Sequence, residues 1–272
     1  MGAGRAEARP TDGPGARPLT HEQVRSYLAR IGHPPVDRPD AATLAGLQDA
    51  HVRTVPFENL DIHLGVPLSL ELGALHDKIV TRERGGFCFE LNGLFHALLS
   101  ALGFTAWLIE ARELGEDGQL GPRFDHARIL VELEAAPVLV DVGTGASPRG
   151  AIRLSEDEQQ VGHQRYRVRE HGDRFVSDRY ERGTWMPGWT FDTHPRGLGD
   201  FEARCHYHQH APESHFTQKP LCTLVTRDGH VTLSDRTLIV TRGDDREERP
   251  VDDPLAVLRH RFGVTIAHWP GS

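Results

Sequence analysis

Arg84-Gly85-Gly86-Phe87-Cys88-Phe89-Glu90-Leu91-Asn92-Gly93 decides how this chain is read. Two glycines lead into a cysteine. The apolar residues that follow, Leu91, Leu94, Phe95, Leu98, Leu99 and Leu102, recur at steps of three and four. That spacing predicts an amphipathic helix with one buried face, stopped by Gly103 in a left-handed turn. Cys88 then stands in the first turn, where backbone N–H groups lack partners and the helix dipole is positive. Both effects favour thiolate over thiol. The glycines are expected to let the backbone, and a substrate, approach without a Cβ in the way. Most single cysteines are small core hydrophobes. The glycine lead-in, the helix start, and Glu90 and Asn92 beside it set this one apart.

A nucleophilic cysteine needs a base and a group that orients the base. Residues 124–133, Phe-Asp-His-Ala-Arg-Ile-Leu-Val-Glu-Leu, read as a loop entering a strand. After a short break, Val138-Leu139-Val140-Asp141-Val142-Gly143 reads as a second strand closed by glycine. In a hairpin the start of the first strand lies beside the end of the second, which brings His126 next to Asp141. Asp141 would fix the ring tautomer of His126, whose other nitrogen would face Cys88. Taken singly, His126 is one of 17 histidines, and an aspartate before glycine is commonly a turn residue.

The remaining chain sets bounds. Its 272 residues, 38% hydrophobic, suffice for one large domain or two to three packed subdomains. A net charge of −8 gives no general electrostatic reason to bind nucleic acid. No apolar run approaches the roughly 20 residues of a membrane helix, so neither a nucleic acid nor a membrane is an expected partner. Three widely separated cysteines make no disulfide framework, which fits a reducing cytoplasm. Residues 1–18, rich in Gly, Ala, Arg and Pro, read as a disordered tail.

Thr20-His21-Glu22-Gln23 reads as a capping box opening a helix over Val24, Tyr27, Leu28 and Ile31 that stops at Gly32. A second helix is expected from Asp40 or Thr43 to about His51. Residues 19–103 thus form a helical domain carrying the cysteine. Residues 104–200 form a β-barrel-like domain carrying His126 and Asp141, with a turn at His171-Gly172. Residues 201–272 form an α/β lid with strands at 223–226 and 238–240 and a helix at about 254–261. The fold class is α+β: an N-terminal helical bundle, a central β-barrel-like domain and a C-terminal α/β lid.

Together these residues resemble the arylamine N-acetyltransferase family. The resemblance rests on the block Arg84 to Glu90, His126 placed 38 positions after Cys88, and Asp141-Val142-Gly143 a further 15 on. Val55-Pro56-Phe57-Glu58-Asn59-Leu60 upstream adds to it, as do Ser214 to Thr217 and Val231 to Ser234 downstream. The resemblance implies a cysteine-protease-like catalytic core and a ping-pong reaction. Cys88 takes an acetyl group from acetyl-CoA, with no metal, and passes it to a small arylamine, arylhydrazine or hydrazide. It places parts of CoA near the loop before His126 and near residues 214–217, which makes Arg123 and Thr217 cofactor-binding candidates. Phe57 and Phe87 match aromatic positions near the acceptor. Thr144 stands where the family usually carries an aromatic, which implies a roomier and more polar wall. That departure keeps a second reading open, an amide synthase of polyketide or other secondary metabolism built on the same triad. A cysteine hydrolase shares the order of the three residues; the cysteine block favours transfer. A reading of a different class is zinc binding through the histidines at 205–215. His206, His208 and His210 would share a face on a strand, although Pro212 and the scarcity of β-branched residues also suit a loop.

Overall fold

The computed structural model describes residues 18–115 and 117–270. The expected tail therefore lies, apart from Pro18, outside the described residues. Thr20 caps α1 (His21–Arg30) reciprocally: its hydroxyl accepts the Gln23 N–H at 3.2 Å, and the Gln23 side chain accepts the Thr20 N–H at 2.9 Å. Asp40 caps α2 (Ala41–Thr54), which runs a little beyond His51. A two-residue strand, β1 (Phe57–Glu58), precedes α3 (Leu60–His63) and α4 (Leu72–His76), and α4 continues into a π-helical turn, Asp77–Thr81.

The cysteine helix is α5 (Cys88–Ala101). It differs from the expected amphipathic helix in being buried nearly all round, with Glu90, Asn92 and Gly93 as enclosed as the leucines. The helices pack on one side of it and the barrel on the other, so only His96, Ser100 and Ala101 near its C-terminal end reach water. A helix with this environment needs each of its polar side chains paired inside the protein.

The middle of the chain is a nine-stranded antiparallel sheet. Its strands are β2 (Ala106–Glu113), β3 (His126–Val131), β4 (Val138–Val140), β5 (Ile152–Arg153), β6 (Gln159–Val161), β7 (Gln164–His171), β8 (Arg174–Glu181), β9 (Thr184–Met186) and β10 (Trp189–Phe191). They run in the order β5-β4-β3-β2-β10-β8-β7-β6, with β9 on β8. Just past β5, the Ser155 carbonyl accepts the Val168 N–H of β7 at 2.8 Å, so the two ends curl together and the barrel nearly closes. Ile109, Leu130, Leu139, Ile152, Val168 and Phe191 form its core. The expected turn at Gly172, with φ +63°, joins β7 to β8.

The last segment holds α6 (Glu202–His210), β11 (Leu221–Val225), β12 (Gly229–Ser234), β13 (Thr237–Arg242), β14 (Asp245–Pro250) and α7 (Pro254–Val257). In place of one helix over 254–261, α7 gives way to a π-helical turn at Leu258–Phe262. The second sheet runs β1-β11-β12-β13-β14, so residues 19–103, read as helical, lend a strand to the C-terminal sheet. Its far edge, β14, is exposed along its length and charged, which discourages pairing with another chain. No helix among the described residues is long and apolar enough to cross a membrane.

Candidate active site

Cys88 is the first residue of α5, and the chain enters it from an extended Phe87. Glu90 reaches back to accept the Phe87 N–H at 3.1 Å and is held by Lys78 Nζ at 2.8 Å. Lys78 also meets Asp61 at 2.8 Å. Arg84 forks onto Glu58, at 3.0 and 2.7 Å, and reaches Asp61 at 2.9 Å. These three carboxylates and two cations are all buried. Burial pushes the Glu90 carboxyl up. For Lys78 burial works the other way, but the carboxylates of Glu90, Glu58 and Asp61 outweigh it and raise its ammonium. Arg84 and Glu90 of the opening block thus hold the head of α5 in place.

The glycines allow the expected close backbone approach. A Cβ on Gly85 would fall 2.8 Å from Glu58 Cγ and closer still to the Pro56 carbonyl. The Gly86 carbonyl accepts the Glu58 N–H at 2.9 Å. Gly85 therefore admits β1 to the cysteine block.

His126 opens β3, and Asp141 directly follows β4, its antiparallel neighbour. His126 Nε2 lies 2.8 Å from Asp141 Oδ2. The same Oδ2 accepts Arg128 Nε at 2.8 Å, while Oδ1 accepts Asn92 Nδ2 at 3.0 Å and the Gly143 N–H at 2.9 Å. Burial alone would raise the Asp141 carboxyl, but His126 and Arg128 hold it well below the usual carboxylate range. Asn92 also donates to the Ala127 carbonyl at 2.7 Å and accepts the Val142 N–H at 3.0 Å, so it bolts α5 to both strands of the hairpin. A Cβ on Gly143 would fall 2.8 Å from Cys88 Cα; glycine lets the hairpin end lie against the cysteine. The Trp189 ring stacks on His126, centroids 4.6 Å apart.

Two effects act on the thiol in opposite directions. Burial pushes Cys88 up, with the nearby Asp141, Cys205 and Asp125 acting the same way, and the Phe89 N–H at the helix start opposes it.

The other candidates are placed as follows. Phe87 is buried edge-on against Phe89 and Phe216, and the half-buried Phe57 ring lies 6.1 Å from Phe216. Thr144 follows Gly143 and donates its N–H to Ser147 Oγ at 3.0 Å. Arg123 is exposed and spends Nε and Nη2 on the buried Glu110, at 3.3 and 3.0 Å. Thr217 gives its hydroxyl to the Ser214 and Ala211 carbonyls, at 2.8 and 3.0 Å.

The histidine cluster is neither strand nor loop but the helix α6. His206 and His210 stack with centroids 4.2 Å apart, while His208 points inward and is buried against Phe87, Phe89 and Phe216. Its Nδ1 meets Ser214 Oγ at 3.1 Å and its Nε2 lies 3.3 Å from Asp125. On a helix these three do not share a face, and no group of three or more metal-ligating side chains that could hold a metal is present among the described residues.

Three residues outside the expected triad touch the His126–Asp141 pair. Asn92 lies one helical turn from Cys88, and Arg128 lies two positions from His126 on the same strand face, so spacing carried a signal for both. Trp189 comes from a strand far along the chain and left none.

Residues 40–269 match the family model described as N-acetyltransferase. An arylamine N-acetyltransferase of Mycolicibacterium smegmatis is 38% identical over 256 residues, covering 90% of this chain and 93% of that protein. The solved arylamine N-acetyltransferase of M. tuberculosis superposes with a TM-score of 0.84 at 34% identity, covering 90% of this chain and 94% of that one. That of Mycobacterium marinum, solved in complex with CoA, does so at 0.82 and 31%, covering 89% and 92%. The fold and the matched family define an enzyme of the acyltransferase class. Within that class, the chain belongs to the arylamine N-acetyltransferase family.

Proposed function

We propose that this protein moves an acetyl group from acetyl-CoA to an arylamine, arylhydrazine or hydrazide through a thioester on Cys88, in two half-reactions. The observation that carries this reading is the buried cysteine at the head of α5 whose helix is bolted, through Asn92, to the His126–Asp141 pair. We read α5, β3 and β4 as a cysteine-protease-like catalytic core.

Cys88 Sγ attacks the thioester carbonyl as its proton passes to His126. The carbon–sulfur bond to CoA then breaks, and the CoA sulfur takes that proton. In the second half the acceptor nitrogen attacks the acetyl-cysteine carbonyl and His126 accepts a proton from nitrogen. Cys88 leaves as thiolate and is reprotonated by His126. Asp141 orients the imidazole and stabilises its charged form. The Cys88 N–H at the helix head is positioned as an oxyanion donor. The first half exchanges one thioester for another and is nearly balanced; amide formation makes the second half downhill.

Phe57 and Phe87 offer aromatic faces and edges to a flat acceptor, with Thr144 as the polar wall. For the donor, Arg123 and Thr217 are engaged by Glu110 and by carbonyls, which a phosphate would have to displace. A second candidate lies between the two sheets, in a cavity of about 720 Å³ lined by Arg165, Arg179, Arg182, Arg246, His163 and His230 together with Glu181 and Asp244, with Ala146 of the loop after Gly143 at its wall; there Arg165, Arg179 and Arg246 are likewise engaged, by Glu158, Glu181 and Glu248. Burial, and after it the neighbouring arginines, push both histidines down, while Asp228 and Glu181 oppose the arginines. Such a site suits the phosphates of a nucleotide. Arg179→Ala with Arg246→Ala is expected to raise KM for acetyl-CoA about tenfold, with kcat little changed, the loss of a charge-assisted hydrogen bond. Steady-state kinetics at varied donor concentration checks it.

Mass spectrometry after incubation with acetyl-CoA tests the whole reading. An acetyl adduct mapped to the Cys88 peptide, discharged by arylamine much faster than by water, is expected. An adduct that no arylamine discharges would turn the acceptor toward the amide-synthase reading, and absence of any adduct would remove the function.

A further inference from the structure

The Phe216 ring stands between the two aromatic candidates for the acceptor, 6.1 Å from Phe57 and 5.4 Å from Phe87. Its backbone is pinned on both sides. Ser214 Oγ accepts the Phe216 N–H at 3.3 Å, and Asn59 Nδ2 donates to the Phe216 carbonyl at 2.9 Å. The ring itself is backed by His208, edge-on with centroids 4.9 Å apart and 86° between planes. His208 meets Phe87 in the same way, at 6.4 Å and 84°. One buried imidazole thus supports both rings from behind.

That imidazole is held at both nitrogens. Nε2 lies 3.3 Å from Asp125 Oδ1, and Nδ1 meets Ser214 Oγ at 3.1 Å. Arg204, one turn before His208 on α6, donates Nε to the same Asp125 oxygen at 2.8 Å. Burial alone would raise the Asp125 carboxyl, but His208 and Arg204 hold it below the usual carboxylate range, so it remains an acceptor. The nitrogen facing it must then carry a proton. In the neutral ring Nδ1 is left to accept the Ser214 hydroxyl, whose lone pair serves the Phe216 N–H. A polar line therefore runs from Asp125 through His208 and Ser214 to Phe216, and it begins at the residue next to His126. It has the residue types of a Ser-His-Asp hydrolase site. Ser214, however, is buried with its oxygen committed to Phe216, so it offers a substrate no nucleophile.

We propose that His208 is a positioning residue that sets acceptor specificity: held between Asp125 and Ser214, it fixes the Phe216 and Phe87 rings against which a flat aromatic amine is laid. Contacts at both nitrogens stop the imidazole from turning, so the rings packed on it keep one orientation. A planar acceptor gains from edge and face contacts only where the receiving rings stand at set angles. An acceptor without a ring makes no such contacts. The acetyl group has none either, so the first half-reaction is indifferent to the strut.

This inference rests on the acyl-cysteine reading, and the two half-reactions separate the one from the other. His208→Phe keeps a ring of similar size and removes the two polar contacts, while Arg204 still holds Asp125. Cys88 is acetylated with acetyl-CoA, and loss of the adduct is followed by mass against the concentration of aniline, or of hydrazine, which has no ring. In His208→Phe the aniline concentration for half-maximal discharge is expected to rise about tenfold, the scale of a lost polar contact to a charged group, with the limiting rate little changed. Acetylation by acetyl-CoA and discharge by hydrazine are expected to keep their wild-type rates. Ser214→Ala cuts the same line at its other end and is expected to move the aniline value in the same direction, which decides the matter if His208→Phe does not fold. An unchanged aniline value in either folded variant overturns the proposal. Equal losses with aniline and hydrazine, or an equal loss in acetylation, overturn it too, since they mark a general loosening of the site. A wild type that forms no adduct removes the acyl-cysteine reading itself.

Discussion

Asp141→Asn is expected to slow acetylation of Cys88 by about 10⁴-fold, the scale of losing the carboxylate from a triad of this kind. Asp141 accepts four donors, two on each oxygen. An amide keeps one acceptor and replaces the other with an NH₂ donor. If the NH₂ faces Asn92 and the Gly143 N–H, three donors meet and the anchor between α5 and the hairpin is lost. If it faces His126 and Arg128, Nε2 must become an acceptor. The ring proton then moves to Nδ1, the nitrogen that would have to receive the thiol proton. Either way Arg128 is left as a buried guanidinium without its carboxylate, which adds a stability loss of about 3–5 kcal/mol. Because the carboxyl is held below its unfolded value of about 3.9, its contribution is fully present above that pH and is lost as pH falls through the folded value. The stability deficit should therefore be full at neutral pH and shrink only in acid below about pH 4. Single-turnover acetylation followed by mass, and urea unfolding at several pH values, measure the two parts. A near-wild-type acetylation rate would show that Asp141 does not orient the base.

Lys78→Met is expected to cost about 3–5 kcal/mol of stability, read as a lower urea midpoint. The loss leaves Glu58, Asp61 and Glu90 facing one cation, Arg84, in a buried cluster. The control is Arg82→Ala. Its pair with Asp77 has the same 2.8 Å separation, but both side chains are more than half exposed, and its removal is expected to cost less than about 1 kcal/mol. Equal losses in the two variants would mean that the buried network is not what holds the head of α5.

What was legible in the sequence was local. Thr20 and Gln23 lie three residues apart and form their box; Cys88 starts its helix; His126 and Asp141 meet because a short hairpin leaves them nowhere else to go. What failed was decided by distant partners. Glu90 and Asn92 look like the exposed side of an amphipathic helix until Lys78 and Asp141 arrive to satisfy them. The histidines of α6 have modest helix propensity, and the helix gains from seating Cys205 and His208 in the core. The thiolate expectation weighed the helix start; burial, which pushes the thiol the other way, is a property of the assembled chain.

The strand made by Phe57 and Glu58 has a consequence in time. Phe57 pairs with Thr223, 166 positions later, and it is Glu58 beside it that grips Arg84 in the cysteine block. During synthesis the ribosome releases α5 and the whole barrel before β11 exists. A nascent chain therefore carries Cys88, His126 and Asp141 before the strand that pairs with β1 has been made. Long-range closure of this kind comes late in folding. The pairing that seats Glu58 beside Arg84 is thus expected among the last contacts to form.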